Sequence, residues 1–158
     1  RTCLSSPRDC RACFDRALRR ARRYNHPLSL IMIDIDHFKK INDNLGHPVG
    51  DQVLREVARL LKEQARDVDL AARYGGEEFM LVLPETKRAE AQSLAERIRQ
   101  RVEKHDFRIS IGKKPHAVTI SLGVAGFPED GEEKSQIIDR VDKALYKAKS
   151  GGRNQVRT

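Results

Sequence analysis

Nine consecutive residues, Leu28-Ser29-Leu30-Ile31-Met32-Ile33-Asp34-Ile35-Asp36, stay almost wholly apolar, rich in isoleucine, until they reach two aspartates. A strand with one face in water alternates apolar and polar side chains. A run without that alternation suits a central strand covered on both faces, so the rest of the chain has to supply two covers. The end of the run is equally constraining. Asp34 and Asp36 stand one residue apart, and the two-residue period of a strand points both carboxylates to the same side.

The covers are visible as helical spacing. Residues 13–25 are rich in Ala, Leu and Arg and read as a helix, closed by Asn25-His26-Pro27, where proline cannot continue it. Val53, Leu54, Val57, Leu60 and Leu61 keep helical spacing over 51–65, as do Ala91, Leu94, Ala95, Ile98 and Val102 further on. A third amphipathic segment holds Ile137, Ile138, Val141, Ala144, Leu145 and Ala148. Residues 69–74 and 79–83, joined by Gly75-Gly76-Glu77-Glu78, predict a β-hairpin. Residues 107–111 and 117–124 predict two more strands with a turn at 112–115, and 155–156 a last short one. The first dozen residues and Gly151-Gly152 read as loose. Strands and helices mixed with hairpins predict an α+β fold, a central mixed or antiparallel sheet flanked by helices. The 158 residues fit a single domain over 1–158.

A net charge of +8 and a pI near 9.7 favour polyanions without choosing among nucleic acid, anionic lipid and nucleotide. The basic run Arg16-Ala17-Leu18-Arg19-Arg20-Ala21-Arg22-Arg23 has no interleaved aromatics on which bases would stack, so it reads as a solvated helix face rather than a nucleic-acid groove. Cys3, Cys10 and Cys13 are the three cysteines; Cys10-x-x-Cys13 has no second Cys or His pair to complete a zinc site. No apolar run is long enough to span a bilayer and no signal-peptide core opens the chain. The expectation is a cytoplasmic protein, with no nucleic-acid partner and no membrane insertion.

Chemistry concentrates at two acidic turns. A strand ending Asp34-Ile35-Asp36 and a hairpin tip carrying Glu77-Glu78 converge if their strands are neighbours, about 4.8 Å apart. Carboxylates that close repel one another unless a cation lies between them. Oxygen-only ligands select Mg2+ or Mn2+ over zinc, and Mg2+ typically binds through one or two carboxylates plus phosphate oxygens. Gly75 and Gly76, lacking Cβ atoms, allow the turn backbone to approach a ligand. Taken singly, an acidic Gly-Gly turn is ordinary turn chemistry and a terminal Asp-x-Asp an ordinary cap or solvated strand end.

Four separated segments change that balance: 34–51 (DIDHFKKINDNLGHPVGD), 66–69 (RDVD), 73–79 (RYGGEEF) and 146–154 (YKAKSGGRN). In this order the chain closely resembles the GGDEF family, the diguanylate cyclases that join two GTP into cyclic di-GMP. The resemblance implies the nucleotidyl cyclase or polymerase palm (ferredoxin-like) fold. It implies Mg2+, with Mn2+ as a substitute, held by Asp34, the carbonyl of Ile35 and Glu77. Glu77, Glu78 and Lys39 become the catalytic set. Asn42 and Asp51 match the residues that hydrogen-bond guanine; relatives that also accept ATP have serine at the latter position, so Asp51 argues for GTP. His37, Phe38, Lys39, His47, Gly75, Gly76, Lys149 and Arg153 complete the substrate-binding set. For Lys149 and Arg153 a second reading, cations favoured at a helix C-terminus, holds as well.

The implied reaction needs two domains face to face, so a homodimer forms at least transiently. Arg66 and Asp69 match the family's R-x-x-D site, where cyclic di-GMP inhibits, and Arg97 a secondary arginine of that site. Asp69 precedes Gly75 by six positions, about 20 Å of extended strand, which separates this site from the catalytic one. The family usually opens with a D-x-L-T-x-L-x-N-R segment; here residues 2–11 keep Leu4 and little else. The expectation is the catalytic piece of a longer, and in some settings membrane-attached, bacterial signalling protein. A runner-up is a catalytically weak or silent cyclic di-GMP receptor acting through Arg66 and Asp69, and a third reading, from the charge and the palm-like acids, is a nucleic-acid enzyme.

Overall fold

The computed structural model describes residues 7–107 and 117–158. Its centre is a five-stranded sheet in the order β2-β3-β1-β4-β5. The strands are β1 (Leu28–Ile35), β2 (Leu70–Arg73), β3 (Glu78–Pro84), β4 (Ile120–Phe127) and β5 (Val156–Arg157). β1 is antiparallel to both β3 and β4, β2 is antiparallel to β3, and β5 alone runs parallel to its neighbour. All eight residues of β1 are buried, as a strand covered on both faces must be. Its one hydroxyl, Ser29 Oγ, donates to the Thr86 carbonyl at 2.8 Å, so the run carries no unsatisfied polar group into the core.

Alternate β1 side chains divide between two cores. Ile31, Ile33 and Ile35 face a cluster with Val53, Val57 and Leu61 of α3 (His47–Gln64) and Ala95, Ile98 and Val102 of α4 (Arg88–Glu103). Leu28, Leu30 and Met32 face Phe14 and Leu18 of α1 (Pro7–Tyr24) and Val141 and Leu145 of α5 (Lys134–Ser150). The short α2 (Phe38–Leu45) leads from the exit of β1 into α3.

Several boundaries differ from the sequence reading. The first helix starts at Pro7, not at Cys13, so half of the stretch read as loose is helical; proline suits a first helical turn, where its missing N–H has no partner to lose. Asn25 (φ 52°) ends α1 in the left-handed conformation that asparagine tolerates. α2 shows no clear helical periodicity in the sequence, and α3 begins at His47 rather than Asp51, because Gly46 (φ 86°) and Pro48 separate two helices that periodicity alone does not resolve. Glu78 lies inside β3 and not at a hairpin tip. Phe107 is not in a strand; residues 108–111 and the turn at 112–115 lie outside the described residues.

Candidate active site

Since β1 is central, its exit lies beside the entry of β3 and the entry of β4. Asp34 pairs directly with Glu78 across the β1–β3 ladder, and the next backbone contact is the Ile35 N–H donating to the Glu77 carbonyl at 3.2 Å. Directly opposite residues in an antiparallel pair share a face. The two carboxylates that meet are therefore Asp34 and Glu78, on the α1/α5 side of the sheet. Burial and the Asp34 charge push the Glu78 carboxyl above the ordinary glutamate value, with Glu77 and Asp142 adding to this and Lys149 opposing it. Lys149, from the last turn of α5, reaches Asp34 with Nζ 2.9 Å from Oδ2.

Lys149 and Glu78 line a cavity of about 650 Å3 together with Tyr74, Asp142, Tyr146 and Arg153. Tyr146 is 72% exposed, a large aromatic left at the rim. The Asp142 carboxyl is raised by its burial and by Asp139. The sequence reading gave none of Tyr74, Asp142 and Tyr146 a role, and only Tyr146, in the 146–154 segment, and Tyr74, in 73–79, carried any signal.

Asp36, which the strand period points to the same side as Asp34, is 4% exposed and already occupied. Thr119 Oγ1 and Ser121 Oγ donate to it at 2.7 and 2.6 Å, and the Asn154 N–H at 3.0 Å. It ties the β1 exit to β4 and to the turn after α5, and its oxygens are taken up by these donors. A sequence shows the period that aligns two carboxylates but not the distant hydroxyls that take up one of them.

The Gly-Gly turn is held by a residue without an assigned role. Arg73 Nε donates to the carbonyls of Gly75 and Gly76, each at 3.1 Å, and its NH2 to Gly76 at 2.6 Å. The two glycines are not equivalent. A Cβ on Gly75 would lie 2.7 Å from Glu78 Oε2, whereas one on Gly76 would meet nothing within 4 Å. Gly75 thus makes room for the glutamate, and Gly76 leaves the open approach expected of both.

Across the turn from Asp34, His37 (φ 56°, ψ 29°) reverses the chain into α2 with no side-chain cap. The first N–H groups of that helix have no intrahelical acceptor and point outward, as in anion sites at helix N-termini. Lys39 is exposed on the first turn of α2. Asn42 lies against Gly50 of α3: a Cβ there would fall 1.9 Å from Asn42 Oδ1. Asp51 and His47 are exposed on the first turns of α3. α2 and the first turns of α3 thus carry Lys39, Asn42 and Asp51, while Lys149 comes from the end of α5 and Arg153 from the turn that follows it.

Arg66 and Asp69 are brought together. Asp69 accepts from the Arg66 backbone N–H at 2.8 Å and from its guanidinium at 2.8 to 3.2 Å, and Arg66 NH2 also reaches the Pro84 carbonyl and Thr86 Oγ1. Arg97, on α4, touches Gln64 at the end of α3 with Nε 3.3 Å from Oε1.

A divalent cation fits this chemistry in one way only. Among the described residues no three His, Cys, Asp or Glu side chains are grouped to hold a metal unaided. Two facing carboxylates, one pushed upward by the other, suit an ion that takes the rest of its shell from a carbonyl, water and phosphate oxygens, as Mg2+ does.

The fold and the acidic edge define an α+β domain with two facing carboxylates beside the cationic end of α5. Comparison makes the class specific. The family "Diguanylate cyclase, GGDEF domain" matches residues 2–155. Diguanylate cyclase A of Treponema denticola is 51% identical over 129 residues, covering 82% of this chain and 34% of that protein. Response regulator PleD of Caulobacter vibrioides is 44% identical over 142 residues, covering 90% of this chain and 31% of that protein. The crystal structure of the GGDEF domain of DgcB from Caulobacter crescentus, in complex with c-di-GMP, superposes with a TM-score of 0.90 at 36% identity, covering 98% of this chain and 90% of that one. The chain belongs to the diguanylate cyclase GGDEF domain family, and its fold is the palm-like nucleotidyl cyclase fold. It spans about a third of the length of the curated relatives it matches. A divalent metal is implied by the family.

Proposed function

We propose that the chain condenses two GTP into cyclic di-GMP with release of two pyrophosphates, using Mg2+ or, in its place, Mn2+. The observation that carries this is the Asp34–Glu78 pair facing across β1 and β3 at the mouth of a cavity whose other charged lining includes Lys149 and Arg153. Asp34, the Ile35 carbonyl and Glu77, whose backbone carbonyl accepts from the Ile35 N–H, would hold the cation beside Glu78; when bound it neutralises phosphate charge and acidifies the attacking hydroxyl. The N-terminal N–H groups of α2 at His37 and Phe38, with Lys39, Lys149 and Arg153, hold the triphosphate. Asp51 accepts from the guanine N1–H and N2–H2, and Asn42 hydrogen-bonds the same edge through its amide. Each 3′-oxygen attacks the α-phosphorus of the other GTP as the bond to pyrophosphate breaks. Glu78, with its carboxyl held above the ordinary value, is suited to take the 3′-hydroxyl proton.

One chain holds one GTP, so two copies face each other during turnover, as a homodimer. Product binds back at Arg66, Asp69 and Arg97. There the Arg66–Asp69 pair is closed, and cyclic di-GMP has to insert its phosphates and bases among groups already hydrogen-bonded to each other. No helix among the described residues is long and apolar enough to cross a membrane. A cytoplasmic location follows from the substrate, and no nucleic-acid partner is required.

Purified protein incubated with GTP and Mg2+ should release pyrophosphate and form cyclic di-GMP, and Glu77→Gln should form less than about 1% as much, the loss of one metal-binding carboxylate being worth several kcal/mol. Cyclic di-GMP binding without turnover in the wild type would instead support the receptor reading.

Gly50→Ala tests the guanine end. The added methyl displaces the Asn42 amide, so KM for GTP should rise about tenfold, the worth of one or two lost hydrogen bonds. The melting temperature should move little, because the roughly 1 kcal/mol by which alanine is favoured over glycine inside a helix offsets the tight approach to Phe38 Cζ, 3.2 Å from the added Cβ. Steady-state kinetics with a thermal melt checks both; an unchanged KM would remove Asn42 from the pocket.

A further inference from the structure

Three successive residues after α5 have positive φ: Gly152 (112°), Arg153 (63°) and Asn154 (45°). Residues with a Cβ rarely adopt that conformation, and two in a row require something to hold them. Asn154 is what holds them. Its Oδ1 accepts from Arg99 NH1 at 2.7 Å and its Nδ2 donates to Glu103 Oε1 at 2.7 Å, so one amide fits between the two ends of an ion pair on α4. The bonds from Asn154 and Arg99 hold the Glu103 carboxyl below the ordinary glutamate value. Its backbone N–H donates to buried Asp36 at the β1 exit, and the preceding N–H, of Arg153, closes on the Ala148 carbonyl at 2.9 Å.

The turn so fixed carries one functional group. Arg153 lines the cavity beside Glu78 and Lys149, and among the described residues no acceptor pairs with its guanidinium. Apart from the Arg153 backbone N–H, the bonds that hold the turn are made by its neighbours, and the arginine side chain is left to meet a ligand. We propose that Asn154 is a positioning residue for Arg153: it locks the turn after α5 onto α4 and onto the β1 exit, so that the guanidinium faces the nucleotide phosphates. The proposal rests on the nucleotide reading above and adds to it a residue that touches no substrate. An ordered arm binds phosphate without first losing its conformational freedom, so the cost of breaking the lock appears in affinity.

The experiment is a double-mutant cycle on affinity for the α,β-methylene analogue of GTP with Mg2+, by isothermal titration calorimetry on the full chain. Asn154→Gly is the key variant, because glycine accepts the positive φ and removes only the side-chain lock. Arg153→Ala and Asn154→Gly should each weaken binding about fivefold or more, and the double variant should bind no worse than Arg153→Ala alone. A thermal melt of Asn154→Gly confirms that the protein compared is folded. Wild-type affinity in Asn154→Gly overturns the proposal, since the backbone conformation alone would then suffice. Fully multiplicative losses in the double variant also overturn it, since Asn154 would then act independently of Arg153. No binding by the wild type would reject the nucleotide reading itself, a result distinct from either.

Discussion

Asp34→Asn should lower cyclic di-GMP formation by about 10^3-fold or more while leaving the protein folded, the rate loss corresponding to roughly 4 kcal/mol of transition-state stabilisation. Three effects act together. The substitution removes a carboxylate from the proposed cation site, takes away the partner of Lys149, and relieves the repulsion that pushes Glu78 upward. All three harm turnover, the last because a Glu78 carboxyl nearer its ordinary value is a weaker base for the 3′-hydroxyl proton. The change costs the fold little, because the Lys149 side chain is 38% exposed and can turn back to water, and an asparagine amide still accepts a hydrogen bond. Glu78 in the variant should titrate closer to an ordinary glutamate. The sign follows from its raised value: in the wild type Glu78 opposes folding at neutral pH, and that penalty fades as pH falls through its folded pKa. Asp34→Asn should therefore melt at or slightly above the wild type near pH 7, with the difference shrinking towards acid pH. Turnover assays with melts at two pH values check this; more than a tenth of wild-type activity would remove Asp34 from the cation.

The central strand was legible because its burial is written into composition: an unbroken apolar run has one comfortable place in a sheet, and β1 takes it with all eight residues buried. The three helices after it were legible for the same reason, with apolar spacing matching the faces that α3, α4 and α5 bury. α2 was not, because its eight residues bury only Phe38 and a helix that covers little leaves little periodicity. At the site, the acidic clusters could be found from spacing, but their pairing could not. Register decides that Asp34 faces Glu78, and register depends on strand neighbours over forty positions apart. Asp36 shows the same limit from the other side, since the donors that occupy it, Thr119, Ser121 and Asn154, are invisible near it in sequence. Arg73 and Asn154 lay inside the segments that carried the family resemblance, yet nothing in a local pattern says that one staples the Gly-Gly turn and the other locks Arg153.

Gly123 joins fold and site in one atom-sized gap. It sits buried in β4, opposite Met32 of β1, where α5 crosses the sheet. A Cβ at this position would lie 2.4 Å from the Val141 carbonyl oxygen and 2.5 Å from the Leu145 nitrogen, both backbone atoms of α5 that no rotamer change can move aside. Gly123→Ala must therefore lift α5 as a body. Overpacking against backbone costs about 3 kcal/mol, which lowers the melting temperature of a chain this size by roughly 6–12 °C. The same displacement carries Lys149 and the Arg153 turn away from Asp34 and Glu78, because both lie at the end of that helix. Activity per folded molecule should fall too, with KM for GTP rising more than kcat drops, since the groups displaced are the phosphate contacts proposed above and not Asp34 and Glu77, the carboxylates proposed to hold the cation. Gly76→Ala is the control for stability: its Cβ would meet nothing within 4 Å, and its melting temperature should stay within about 1–2 °C of the wild type. If Gly123→Ala melts with the wild type, α5 has room the packing denies, and the helix is not the rigid arm that fixes the phosphate contacts.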